Sequence, residues 1–106
     1  MSLVNRLLSI FTRGGRDEEA LQQGLEHAKA KRPEKAIEVY GRLIDDEGTS
    51  PEVRGRALFN RSLAYSTLKD EQKALADLQE VLKIAHLPEN VLTAARERVA
   101  RLRNRK

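Results

Sequence analysis

Few residues of this chain have the types and the spacing that catalysis or metal binding needs. His27 and His86 are 59 residues apart, and neither belongs to a metal-ligand motif. Asp45, Asp46 and Glu47 form the densest acidic cluster, which is more typical of a solvated helix end than of a metal site. The chain has no cysteine, so it has no disulfide and no thiolate ligand. We therefore expect no enzyme, no cofactor and no metal.

The composition is that of one small helical domain. The chain has 106 residues, of which 40% are hydrophobic and 34% are charged. This balance is too apolar for a disordered chain and too charged for a membrane protein. Leu, Ala, Glu, Lys and Arg dominate, and these residues favour helices. The lack of cysteine and of a signal-peptide pattern predicts a cytoplasmic protein.

Two segments of the chain are similar when one is shifted by 38 residues. Gly24 then falls on Ser62 and Tyr40 on Leu78, so small residues meet small ones and large residues meet large ones. Apolar residues within each copy recur at intervals of three and four, which indicates helices. The pattern predicts helices near residues 3–13, 17–30, 33–46, 51–68, 71–84 and 88–103.

Capping residues support these boundaries. Pro33 suits the first position of a helix, and Ser50 is an N-cap residue followed by a proline. Asp70 can cap the next helix in the same way. Gly48 stands just after a helix, where a left-handed backbone is often needed. Turns this short predict that neighbouring helices are antiparallel.

The two copies resemble tetratricopeptide repeats over about residues 17–88. In the first copy Gly24, Ala36 and Tyr40 match the small and large positions of the family pattern. The second copy matches it at Ser62, Tyr65, Ala74 and, more weakly, Leu78. Departures include His27, which stands where an aromatic is usual and for which we expect a packing role. The resemblance implies an all-α fold of antiparallel helix hairpins stacked as a short α-solenoid.

The expected organisation has four parts. They are an N-terminal amphipathic helix with a glycine hinge (1–16), a first repeat (17–50), a second repeat (51–87), and a C-terminal capping helix with a basic tail (88–106). Two repeats bury little core by themselves, so the flanking helices are expected to be structural. The last helix carries an apolar stripe that can cover the second repeat, formed by Val91, Ala95, Val99 and Leu102.

The resemblance also implies a protein-binding function. In the family the first helix of each hairpin lines a concave groove, which here gives Glu18, Leu21, Leu25, Lys29, Arg56, Phe59, Asn60, Leu63 and Thr67. We expect a peptide or amphipathic helix of another protein there, and hence an adaptor, scaffold or assembly factor.

Asn60 lies in the stretch "FNRSLAY" and has two interpretations. In a subset of the family an Asn at this place helps to bind the terminal carboxylate of a chaperone peptide. That clamp also needs polar residues where this chain has Leu21 and Leu25, and it needs basic residues from a third repeat. A framework role for Asn60 is therefore favoured, and contact with some other peptide backbone stays open.

The N-terminal segment has one apolar stripe, formed by Leu3, Val4, Leu7, Leu8 and Phe11. Gly14 and Gly15 predict a hinge after it. Three roles stay open for this helix. The first is packing on the first repeat, and the second is docking on a partner or on a second copy to form a homo-oligomer. The third, which is not favoured, is binding to a membrane surface.

Positive charge is concentrated at the C-terminus. Residues 96–106 carry a net charge of +5, from Arg96, Arg98, Arg101, Arg103, Arg105 and Lys106 against one acid. These residues could contact phosphates, which makes nucleic-acid binding an alternative function. No aromatic residue lies among them to stack on bases, so that alternative is less favoured. Acidic tails of partner proteins are another possible target.

Overall fold

The computed structural model describes residues 13–105. They form five α-helices and no strand: α1 Arg13–Lys29, α2 Pro33–Asp45, α3 Pro51–Thr67, α4 Glu71–Lys83 and α5 Glu89–Arg103. The predicted all-α class of packed helices is confirmed. The predicted N-terminal stripe of Leu3, Val4, Leu7, Leu8 and Phe11 lies outside the described residues, as does Lys106.

The start of α1 differs from the expected hinge. Gly14 and Gly15 lie inside α1, which begins at Arg13 instead of near residue 17. A glycine costs about 1 kcal/mol in a helix relative to alanine, but it does not prevent one. The residues after Gly15 favour a helix, and this helix extends back through both glycines. Adding residues to an existing helix avoids the unfavourable nucleation step. Asp17 is of a residue type that can cap a helix beginning near residue 17, but it is consequently a buried residue within α1.

Consecutive helices pack against each other along the chain. α1 packs on α2, α2 on α3, α3 on α4, and α4 on α5, while α1 also contacts α3. The connections are short, which makes neighbouring helices antiparallel. As a result α1 and α3 lie side by side, and residues of α3 and α5 line a common cavity.

The core consists of two apolar clusters that share Ile44. The first is formed by α1, α2 and α3, with buried residues Leu21, Ala36, Tyr40, Leu43, Val53 and Ala57. The second is formed by α3, α4, α5 and the connection before α5, with buried residues Leu58, Ala74, Leu78, Val81, Leu87, Ala95, Val99 and Leu102. The apolar stripe of α5 is therefore packed on the hairpin before it.

Two helices begin at the predicted caps. The hydroxyl of Ser50 accepts a hydrogen bond from the backbone N–H of Val53 at 3.2 Å, just before α3. The carboxylate of Asp70 accepts one from the backbone N–H of Lys73 at 3.2 Å, just before α4. Both bonds satisfy a backbone donor that the helix itself leaves without a partner.

The turn inside each hairpin has the same unusual backbone. Lys31 and Lys69, 38 residues apart, both have φ of 63°. The N–H of Lys31 donates to the carbonyl of Ala28 at 3.1 Å, and the N–H of Lys69 donates to that of Ser66 at 2.9 Å. These bonds are those of a Schellman helix end, where glycine is the usual residue.

The left-handed residue expected at Gly48 is not present, since no described glycine has a positive φ. The carboxylate of Asp46 accepts the N–H of Gly48 at 2.9 Å, and the carbonyl of Asp46 accepts the N–H of Thr49 at 3.1 Å. This local turn redirects the chain after α2 through the Asp46 side chain, so a left-handed glycine is not needed.

The closest approach between α1 and α2 depends on a missing side chain. A Cβ built on Gly24 would lie 2.8 Å from Cδ1 and Cζ of Tyr40, which is fully buried. In the second hairpin the equivalent pair is Ser62 and Leu78, both fully buried. In the first hairpin the large residue thus faces the small one, as the repeat pattern predicts.

Candidate peptide-binding grooves

A concave cavity of about 570 Å³ lies between α1 and α3, and we call it the α1–α3 groove. The start of α2 closes one end of it. Its lining residues are Leu25, Ala28, Lys31, Pro33, Glu34, Tyr40, Asn60, Leu63, Ala64 and Thr67. Most of these side chains are apolar, while Lys31 and Glu34 supply one charge of each sign. This composition suits an apolar side chain entering from solvent.

Two polar groups lie together in this groove. Burial raises the pKa of Tyr40, and the neighbouring Asn60 side chain favours the ionised form and opposes that shift. The Tyr40 hydroxyl has no other hydrogen-bond partner in residues 13–105. A polar group of a ligand can therefore interact with Tyr40 and Asn60 together.

Leu63 is the large hydrophobic residue of the groove that is exposed to solvent. It is 37% exposed, and Leu68, one turn further along the chain, is 41% exposed. Leu63 lines the α1–α3 groove, whereas Leu68 is not among its lining residues. Leu68 can therefore serve as a control for substitutions of Leu63, because the two leucines are similarly exposed and only Leu63 lines the groove.

A shallower cavity of about 270 Å³ lies on the other side of α3, and we call it the α3–α5 groove. It is lined by Arg56, Phe59, Asn60, Asn90, Val91 and Ala94. At its edge the guanidinium Nη1 of Arg56 lies 3.4 Å from a carboxylate oxygen of Glu18 on α1. Asn60 lines both grooves.

The predicted groove residues are thus divided among several locations. Leu25, Asn60, Leu63 and Thr67 line the α1–α3 groove, and Arg56 and Phe59 line the α3–α5 groove together with Asn60. Leu21 is only 6% exposed and belongs to the first core cluster. Lys29 is exposed and lines neither groove.

Sequence reasoning missed the contribution of the first turn and of α2. Lys31, Pro33, Glu34 and Tyr40 line the α1–α3 groove, although the prediction drew only on the first helix of each hairpin. The sequence signal was the short connection before Pro33. It brings the start of α2 beside the end of α1, where the groove is closed.

The stretch "FNRSLAY" is divided between the grooves and the interior. Arg61 faces α4, where its Nε and Nη2 donate to the two carboxylate oxygens of Asp77 at 2.8 and 2.7 Å. Its guanidinium also lies 5.5 Å from the centre of the Tyr65 ring. Ser62 is fully buried and donates to the carbonyl of Phe59 at 2.5 Å. Asn60 alone among the polar residues of the stretch lines the grooves.

The basic residues of α5 and its end have different surroundings. Arg96 pairs with Glu89 at 3.2 Å, Arg105 pairs with Glu71, and Arg103 is exposed. Three arginines line a cavity of about 220 Å³, which we call the arginine depression. Its lining residues are Ser66, Arg98, Arg101, Leu102 and Arg105. Burial and the positive charges of Arg101 and Arg105 lower the pKa of Arg98.

Residues 13–105 contain no cluster of three His, Asp or Glu side chains that could hold a metal ion. His27 is half-buried on α1, and His86 is exposed in the turn before α5 with φ of 65°. None of the helices in the described part of the chain is both long and apolar enough to cross a membrane.

Residues 55–85 match the family model of the tetratricopeptide repeat. This match assigns the second hairpin to the tetratricopeptide repeat family. The match covers most of α3 and all of α4, and so corresponds to the second hairpin. Tetratricopeptide repeats are modules that bind other proteins and are typically not catalytic. No solved structure matches the chain significantly.

Proposed function

We propose that this tetratricopeptide-repeat protein is an adaptor that holds a short segment of another protein in the α1–α3 groove. The observation that carries the proposal is the groove itself. It has a volume of about 570 Å³, mostly apolar walls and a partly exposed leucine, Leu63. An exposed concave apolar surface of this kind is typical of a protein-binding site.

The chemistry of the groove defines the partner segment. Leu25, Ala28 and Leu63 are spaced to accept a large apolar side chain, as one face of an amphipathic helix would present. Asn60 and the Tyr40 hydroxyl suit a hydrogen-bonding group of the segment, such as a backbone carbonyl or a polar side chain. Lys31 and Glu34 lie at the end closed by α2 and can contact polar residues beyond the apolar anchor.

Leu63→Gln, compared with Leu68→Gln, tests this proposal. Both substitutions replace a partly exposed leucine on the same stretch of chain without changing charge, and only Leu63 lines the groove. The two variants are first shown by circular dichroism to be folded. Each is then used beside the wild type to capture partners from source-cell lysate, and the binding of each captured partner is measured with purified protein.

Leu63→Gln is expected to weaken the partner by about tenfold, since it removes part of the 1.5–3 kcal/mol that a buried leucine contributes. Leu68→Gln is expected to leave the affinity within about twofold. A partner held equally by both variants does not use the groove. Capture that occurs only when residues 1–12 are removed would mean that the chain's own N-terminal segment occupies it.

A further inference from the structure

We propose that the arginine depression is an oxyanion site, and that it binds a side-chain carboxylate of an acidic partner segment. The claim that this carboxylate belongs to the segment held in the α1–α3 groove rests on the proposed function. The claim that the arginine depression binds a carboxylate does not rest on it.

The arginine depression is built from two helices. Arg98 and Arg101 are three residues apart on one face of α5, and Arg105 lies in the turn that follows this helix. Ser66, in the last turn of α3, supplies the opposite side. Leu102 gives the depression an apolar edge that keeps part of it away from water. The volume of about 220 Å³ has room for a carboxylate and its bound water.

Two polar atoms in the arginine depression have no partner. The Ser66 hydroxyl and the Arg98 Nε are buried and form no hydrogen bond within residues 13–105. Both can donate, and a buried donor without an acceptor is costly. A carboxylate supplies two acceptor oxygens, so one ligand group can meet both requirements.

The charges of the arginine depression are only partly balanced. Arg105 pairs with Glu71 at the edge, while no ion pair reaches Arg98 or Arg101 within the described part of the chain. Burial, and after it the positive charges of Arg101 and Arg105, lower the pKa of Arg98, as expected where like charges lie close together. An incoming negative charge relieves this repulsion. By contrast Arg96, elsewhere on α5, already pairs with Glu89.

The position of the arginine depression favours a protein ligand over a nucleic acid. Ser66 lines it and Thr67, the next residue, lines the α1–α3 groove, so both sites include a residue from the last turn of α3. A segment anchored in the groove can therefore place an acidic residue over the arginines. Glu71 beside Arg105 opposes a continuous polyanion, and no aromatic ring lines the depression to stack on bases.

The test uses the full chain labelled with nitrogen-15 and follows the arginine Nε–Hε signals by NMR. The probe is acetyl-triglutamate amide, and acetyl-triglutamine amide is its uncharged match. At about 0.15 M salt we expect triglutamate to shift the Arg98 and Arg101 signals saturably, with a dissociation constant in the millimolar range. Triglutamine is expected to leave these signals unchanged.

Arg101→Gln and Arg103→Gln form the matched pair of variants. Both arginines are exposed on α5, and only Arg101 lines the depression. We expect Arg101→Gln to weaken triglutamate about tenfold, because it removes one charge-assisted contact, and Arg103→Gln to weaken it about twofold or less. Equal weakening by both variants, or no shift at Arg98 and Arg101, would overturn the proposal.

Two further measurements distinguish a carboxylate site from the α1–α3 groove and from a general polyanion surface. Leu63→Gln should bind triglutamate as the wild type does, so a failure of the α1–α3 groove proposal leaves this result unaffected. A short DNA duplex should bind more weakly than triglutamate at the Arg98 and Arg101 signals. Tighter binding of the duplex, lost equally on removing Arg101 or Arg103, would show a general polyanion surface and overturn the carboxylate site.

Discussion

Replacing Gly24 with alanine tests whether the first hairpin depends on a missing side chain. The new Cβ would lie 2.8 Å from Cδ1 and Cζ of Tyr40, and closer still to Cε1. Tyr40 is fully buried, so its ring has little room to move. Overpacking of this kind costs about 1–3 kcal/mol, and we expect the upper end, while alanine returns about 1 kcal/mol of helix propensity. The net loss of unfolding free energy should be about 2 kcal/mol.

Gly41→Ala is the matched control for this substitution. Gly41 also lies inside a helix, but the nearest atom to a Cβ there is the Arg61 Nη1 at 3.8 Å, an ordinary contact. Gly41→Ala should therefore stabilise the protein by about 0.5–1 kcal/mol, so the two changes should differ in sign. Urea unfolding followed by far-UV circular dichroism measures both. If Gly24→Ala stabilises the protein as much as Gly41→Ala does, the packing argument is refuted.

A double substitution checks the cause. The second hairpin uses Ser62 with Leu78 where the first uses Gly24 with Tyr40. Combining Gly24→Ser with Tyr40→Leu should therefore cost less than the sum of the two single changes, by about 1 kcal/mol or more. Simple additivity would mean that the two residues are not coupled, and that Gly24→Ala acts by another route.

Two further predictions concern the turns and the groove. Lys69→Gly should stabilise the protein by about 0.5–1 kcal/mol in urea unfolding, because glycine adopts the φ of 63° without strain, while Ala76→Gly inside α4 should destabilise it by about 1 kcal/mol. A destabilised Lys69→Gly would contradict this explanation. Because burial raises the pKa of Tyr40 in the folded state, its contribution to stability is complete below about pH 10 and is lost as the pH rises further. Tyr40→Phe should reduce this alkaline loss, because it removes the hydroxyl that titrates, while at neutral pH it gives up at most the interaction with Asn60, about 1 kcal/mol. If the unfolding free energy of Tyr40→Phe falls above about pH 10 as steeply as that of the wild type, this explanation is wrong.

Much of the fold could be predicted from local signals. Spacing of apolar residues indicated the four helices of the two hairpins and the last helix, and Ser50 and Asp70 marked helix starts that the structure shows. The pairing of small with large residues at Gly24 and Tyr40 followed from the repeat. The boundaries of the repeats as domains, and the groove as a binding site, stay predictions.

The parts that could not be predicted depend on contacts between distant residues. Gly14 and Gly15 look like a break when taken alone, and only the stability of the helix after them decides otherwise. Lysine is an uncommon left-handed residue, so Lys31 and Lys69 gave no local signal. Leu21 was assigned to the groove by analogy with the family, whereas its burial depends on how closely α1 approaches α2.

The helix α5 contributes both to the core and to two surface cavities. Ala95, Val99 and Leu102 are buried in the core, while Val91 also lines the α3–α5 groove and Leu102 also lines the arginine depression. A substitution at half-buried Arg98 would remove a buried Nε next to the core residue Val99, so it would change packing and charge together. A loss of binding there could not be separated from a loss of packing. Arg101 is exposed, so its removal changes the charge of the arginine depression while the core beneath it stays intact.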